Sequence, residues 1–113
     1  MRRLGPLLNS QGPDHVFSGF AVFDRAGVIA SSFNVSSITD NGTGDWTVNW
    51  TIAFASTGYA VVGSTQDLTA AGSVFGIKNG AELTTTSVNV RMGASNGAGK
   101  DCPFAYVAAI GRR

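Results

Sequence analysis

The ten residues from Asp45 to Phe54, DWTVNWTIAF, constrain the fold more than any other part of the chain. Trp46, Val48, Trp50, Ile52 and Phe54 take every second position, and Thr47, Asn49, Thr51 and Ala53 fill the gaps. Successive strand side chains point to opposite faces, so this run reads as a strand with one apolar and one polar face, and no helical period fits it. An apolar face of that size cannot be left in water. A second layer must cover it, and a sandwich is the economical answer.

The flanking sequence repeats the pattern in shorter pieces. Phe17 to Asp24 alternates loosely and turns at Asp24-Arg25-Ala26-Gly27, and Val28 to Ile38 follows with Ile29, Phe33 and Val35 on one face. Asp40 to Gly44 is a hairpin turn, because Asn and Gly tolerate the positive φ that such turns require. Beyond the Ser56-Thr57-Gly58 turn, Tyr59 to Thr65 is a strand, and a polar loop from Gln66 to Gly72 leads to Ser73–Lys78 and an Asn79-Gly80 turn. Leu83 to Met92 places Val88, Val90 and Met92 inward. After the loop Gly93–Asp101, the run Pro103–Ile110 aligns Phe104, Tyr106, Ala108 and Ile110.

The expectation is an all-β, antiparallel, jelly-roll-like β-sandwich of about seven short strands over residues 17–113. An extended N-terminal arm, residues 1–16, precedes it. Gly5-Pro6 and Gly12-Pro13 break any helix in that arm, while Leu4, Leu7 and Leu8 are too apolar for a free tail. Either the arm folds back over its own domain or it docks into a partner, and Arg2 and Arg3 would join those leucines in docking.

Composition narrows the function. Of 113 residues, 13% are charged against 43% hydrophobic, with 15 Gly and a net charge of +1. An average soluble domain has roughly 25% charged residues, and here Ser, Thr, Asn and Gly replace them. Nucleic-acid binding needs a basic face with interleaved aromatics, and Lys and Arg are scattered except for the end pairs. A solitary Cys102 allows no intrachain disulfide and no cysteine metal pair; it reads as a small packing residue. With no disulfide framework the expected folding compartment is the cytosol, and the first residues lack the apolar run of a signal peptide, while no stretch reaches the length of a membrane helix.

Chemistry-bearing constellations are sparse. His15 stands beside Asp14 in the arm, but a Pro-bounded arm is a poor scaffold for catalytic positioning and no nucleophile elbow accompanies it. Asp40 and Asp45 bracket the Gly-rich turn without the acidic spacing of a calcium loop, so they read as turn caps. The remaining acids lie mostly in turns, where a paired glycosidase arrangement is not expected. Trp46 and Trp50 could stack on a sugar, yet their alternation with Val48, Ile52 and Phe54 places them in a core. The triplets at Asn34, Asn41 and Asn49 match glycosylation acceptors and read as strand and turn polarity. The expectation is a protein without catalytic residues, cofactor or metal.

One stretch carries a resemblance. Residues Ala30 to Val62, and most specifically FNVSSITDNGTGDWTVNW from Phe33 to Trp50, resemble a module of bacteriophage tail-fibre and related virion proteins. In those proteins the module looks like a C-terminal β-sandwich that follows a segment similar to Gly19–Asp24. The resemblance implies a homotrimer built into a phage particle. It transfers no functional residue.

The sequence reading is therefore a virion structural protein of tail-fibre type, located on the phage particle. The sandwich would carry contact loops, with Gln66, Asp67 and Thr69 in one and Ser95, Asn96 and Lys100 in the other. Loops on a rigid scaffold are the usual seat of recognition, and uncharged polar loops suit a host-surface glycan or protein. Other virion proteins would be met through Arg2, Arg3, Leu4, Leu7 and Leu8. The alternatives are a capsid decoration protein that staples the phage head, and a carbohydrate-binding module with an exposed aromatic platform. Neither nucleic acid nor membrane insertion is expected.

Overall fold

The computed structural model describes residues 17–66, 74–77, 83–93, 99 and 101–113. Eight strands are formed: β1 (Phe17–Asp24), β2 (Ile29–Phe33), β3 (Val35–Gly42), β4 (Asp45–Trp50), β5 (Ala60–Gln66), β6 (Val74–Ile77), β7 (Ser87–Gly93) and β8 (Phe104–Ile110). They make two antiparallel four-stranded sheets, ordered β2-β1-β8-β5 and β3-β4-β7-β6, that enclose one core. The all-β sandwich expected from the alternation is the fold.

Four local expectations change. Val28–Ile38 is not one strand: Asn34, at φ 59°, breaks it and passes the chain from the first sheet to the second. An L-residue in the left-handed region needs compensation, and Asn34 has it. Its Nδ2 donates to the carbonyls of Ser18 (3.0 Å) and Ile52 (3.2 Å), and its Oδ1 accepts from the Ile52 amide at 2.7 Å. Ile29, Phe33 and Val35 therefore do not share a face. Ile29 pairs with the inward Phe23, Phe33 with the outer-face Phe20, and Val35 belongs to the other sheet.

The alternation of β4 ends at Trp50, and Ile52 lies in the following segment at 53% exposure while Phe54 stays buried. The stretch before β7 is a Thr turn rather than strand, with the Thr84 hydroxyl accepting from the amides of Thr86 and Ser87. In β8 the aligned set Phe104, Tyr106, Ala108 and Ile110 faces outward, and the core takes Ala105, Val107 and Ala109.

The core is asymmetric. The second sheet contributes bulk from Trp46, Trp50, Val48, Val88, Val90 and Met92. The first contributes Phe23 and Val107, and otherwise small groups: Gly19, Ala21, Ala105, Ala109 and Gly63. A Cβ on Gly19 would lie 2.8 Å from Trp50 Cζ3, and one on Gly63 would lie 2.5 Å from the Phe75 ring. Glycines on one sheet are the sockets for rings on the other.

Both tryptophans are satisfied as well as buried. Trp46 Nε1 donates to the Arg25 carbonyl at 3.1 Å, and its ring meets Phe23 edge-on at 5.6 Å. Trp50 Nε1 donates to Tyr59 Oη at 3.1 Å, and Tyr59 in turn donates to the Thr84 carbonyl at 2.7 Å. Tyr59 stacks on Phe54 at 3.9 Å. Buried aromatic N–H and O–H groups need such partners.

Candidate functional site

Strand directions sort the molecule into two poles. One pole gathers the end of β1, the end of β5 at Gln66, the start of β6 at Val74, the end of β7 at Gly93 and the start of β8 at Phe104. The connections 67–73 and 94–103 both leave from this pole. At the opposite pole Phe17 pairs with Ile110, so the first and last strands begin and end together beside the Asn34 corner.

The loop pole is locked to the sandwich by one side-chain and several backbone contacts. Asp101 Oδ1 accepts from the Gly44 amide at 2.7 Å, and the Met92 amide donates to the Gly44 carbonyl at 2.9 Å. Gly99 bridges back to Gly93, and a Cβ on it would sit 2.6 Å from the Thr43 carbonyl. The connection is thus clamped at both feet against the β3–β4 hairpin. Of the loop residues singled out by sequence, Gln66 stands exposed at the end of β5, paired with Phe104. Asp67, Thr69, Ser95, Asn96 and Lys100 lie outside the described residues, as do Arg2, Arg3, Leu4, Leu7, Leu8, Asp14 and His15.

The hairpin acids do structural work. Asp40 Oδ1 accepts from the Gly42 amide at 3.0 Å, and Asn41 Nδ2 reaches Thr47 at 2.8 Å and Asp45 at 3.4 Å. Gly42 and Gly44 take positive φ in this turn. At the neighbouring turn Asp24 Oδ1 accepts from the amides of Ala26 and Val28, both at 2.9 Å. Among the described residues no three His, Cys, Asp or Glu side chains come together as a metal-holding group.

The two outer faces differ in kind. On the second sheet, Asn49 donates to Ser37 and Thr39, and Asn41 and Asn89 both donate to Thr47. That face is a polar Asn/Ser/Thr ladder, with Asp45 and Arg91 in register on it at its loop-pole end. On the first sheet the outer rows read Phe33-Phe20-Ala108-Val62 and Ser31-Val22-Tyr106-Ser64 across the strands. Phe33, Val62, Tyr106 and Ile110 are exposed there, and Arg113 rests over the Phe33 ring at 5.6 Å. A groove of about 360 Å³ runs down this face, with Ala108 as its floor, Phe20 and Val22 on one side, and Val62 and Ser64 on the other.

Sequence reasoning missed this face. The signal was present: Phe20-Ala21-Val22-Phe23 and Phe104 to Ile110 are apolar in both phases of the alternation, the pattern of strands covered on both sides. Treating only one phase as core concealed it.

What this arrangement can do is make contacts. Its two largest aromatic candidates for a sugar platform, Trp46 and Trp50, are 0% and 5% exposed and already hydrogen-bonded. The chain matches no protein-family model, and no curated protein or solved structure is significantly similar to it.

Proposed function

We propose that the protein is a structural module of a bacteriophage particle, of tail-fibre type, working as a homotrimer attached at one pole and presenting loops at the other. The two-pole layout carries the reading. Phe17, which follows residues 1–16, lies at the pole where β8 also ends, while the connections 67–73 and 94–103 leave from the far pole. A rigid body clamped between an attachment end and a presenting end is what an appendage needs, and loops held by a scaffold are suited to surface recognition. The stretch Phe33–Trp50, which resembles tail-fibre modules, forms the corner, the β3–β4 hairpin and the aromatic half of the core.

In this reading the loop pole meets a host-surface glycan or protein. The polar side chains of these loops, Thr69, Ser95 and Asn96 among them, provide adaptable hydrogen bonding there. The mass in solution by light scattering, with and without residues 1–16, tests the assembly, and binding to host cells tests the loop pole. A trimer that persists without the arm and binds cells supports the proposal. A monomer in both forms that binds purified phage heads would replace it with a decoration subunit that assembles only on the shell.

A further inference from the structure

We infer that Asn41 is a deamidation site that the folded β3–β4 hairpin holds closed, and that its conversion to aspartate or isoaspartate releases the loop pole. The sequence has three Asn-Gly pairs, at Asn41, Asn79 and Asn96, and the first lies within the described residues. In such a pair the following glycine has no Cβ to shield its backbone nitrogen. At Asn41 the Gly42 nitrogen gives up its proton and attacks Cγ, forming an N–Cγ bond. The Cγ–Nδ2 bond breaks, and Nδ2 leaves as ammonia with that proton. Water then opens the resulting imide at either carbonyl, giving aspartate or, with one more methylene in the main chain, isoaspartate.

The sequence invites this reaction, and the fold opposes it. Asn41 is exposed and is the extra residue of a bulge, because Asp40 pairs with Trp46 and Gly42 with Asp45. The nucleophile is occupied: the Gly42 N–H donates to Asp40 Oδ1 at 3.0 Å. Removing that proton would set a negative nitrogen against a carboxylate. The leaving group is occupied too, since Asn41 Nδ2 donates to Thr47 Oγ1 at 2.8 Å and to Asp45 Oδ1 at 3.4 Å. These bonds tie the carboxamide to β4 and keep it from turning onto the Gly42 nitrogen.

The product cannot keep these contacts. A carboxylate at position 41 has no N–H for Thr47 or Asp45, and it stands beside Asp45 with like charge. Isoaspartate also lengthens the main chain next to Gly42. The same hairpin supplies Gly44, whose amide meets Asp101 and whose carbonyl meets the Met92 amide. A hairpin opened at Asn41 therefore loosens the clamp on Asp101.

The test incubates the full chain in mildly alkaline buffer, folded or unfolded in guanidinium, and quantifies each Asn-Gly site by peptide mapping. Asn41 should convert at least about tenfold more slowly in the folded chain, the weight of one hydrogen bond to a charged group. Asp40→Ala should remove most of that protection at Asn41. Equal rates in the two states, zero included, overturn the proposal, and so does an Asp40→Ala chain that converts no faster than wild type. Asn41→Asp isolates the second step: amide exchange at Gly44 should quicken while core exchange holds, and wild-type exchange at Gly44 overturns the release of the loop pole.

Discussion

Gly19→Ala tests the claim that glycines of one sheet are sockets for rings of the other. The added Cβ would lie 2.8 Å from Trp50 Cζ3, 3.1 Å from Cε3 and 3.4 Å from the Phe33 carbonyl oxygen. Carbon atoms prefer about 3.5–4.0 Å, so one of the two must move by several tenths of an ångström. The indole has little freedom to retreat. Its Nε1 is tied to Tyr59, and its ring is held edge-on by Phe54 at 5.3 Å and Tyr59 at 6.2 Å. Overpacking of this kind costs about 1–3 kcal/mol. Alanine in place of glycine within a strand offsets about 0.5–1 kcal/mol of that through the unfolded chain. The net expectation is a loss of about 0.5–2 kcal/mol, and each kcal/mol lowers Tm by about 4–8 °C in a domain of this size. Gly76→Ala is the control, because nothing lies within 4 Å of its Cβ, and it should be neutral or slightly stabilising. Urea denaturation of both variants measures the difference. The decisive arm is Gly19→Ala in a Trp50→Phe background, where the smaller ring should remove most of the penalty. A Gly19→Ala chain as stable as wild type, or a penalty unchanged by Trp50→Phe, would refute the socket argument.

Asn34→Ala should cost about 2–4 kcal/mol, since it combines an unfavourable left-handed φ with the loss of three side-chain hydrogen bonds; Asn34→Gly should recover about 1 kcal/mol of it by relieving the backbone. Denaturation midpoints of the two variants give the comparison directly. Burial raises the Tyr59 pKa above its ordinary 10.0, only partly offset by the hydrogen bond from Trp50. The folded state therefore holds the phenol proton more tightly than the unfolded state. That stability is fully present below pH 10 and is lost as pH rises through the folded pKa, a decline that Tyr59→Phe should abolish in Tm measured between pH 8 and 11. Tyr59→Phe should itself lower stability at neutral pH by about 1–3 kcal/mol, because the Trp50 N–H loses its acceptor in the core. Gly99→Ala should loosen the loop pole without unfolding the sandwich, since its Cβ would meet the Thr43 carbonyl; faster amide exchange at Gly44, with core exchange unchanged, is the expected signature.

The fold was legible where one face is apolar and the other polar. The β4 run and the inward set Val88, Val90 and Met92 gave the second sheet directly, because its outer face is the Asn/Thr ladder and the alternation is unambiguous. The break at Asn34 was not legible. Its φ depends on what the side chain can reach, and those partners, Ser18 and Ile52, lie 16 and 18 residues away. The exposure of Ile52 has a similar cause. Alternation continues in the sequence past Trp50, but the chain leaves the ladder there, and the Phe54 amide turns to the Thr85 carbonyl. Periodicity records which residues could share a face, not where a strand stops.

The functional surface was harder to read for a related reason. A strand covered on both sides has no phase, so Phe104 to Ile110 gives no sign of which set is core. The choice is made across the sandwich. Trp46 and Trp50 need small neighbours, and β8 offers Ala105 and Ala109 to the core while Phe104, Tyr106 and Ile110 are turned away. The size of the rings on one sheet thus decides which side chains the other sheet must display. The outer face, with Phe33, Val62, Tyr106 and Ile110 exposed on it, follows from how the core is packed.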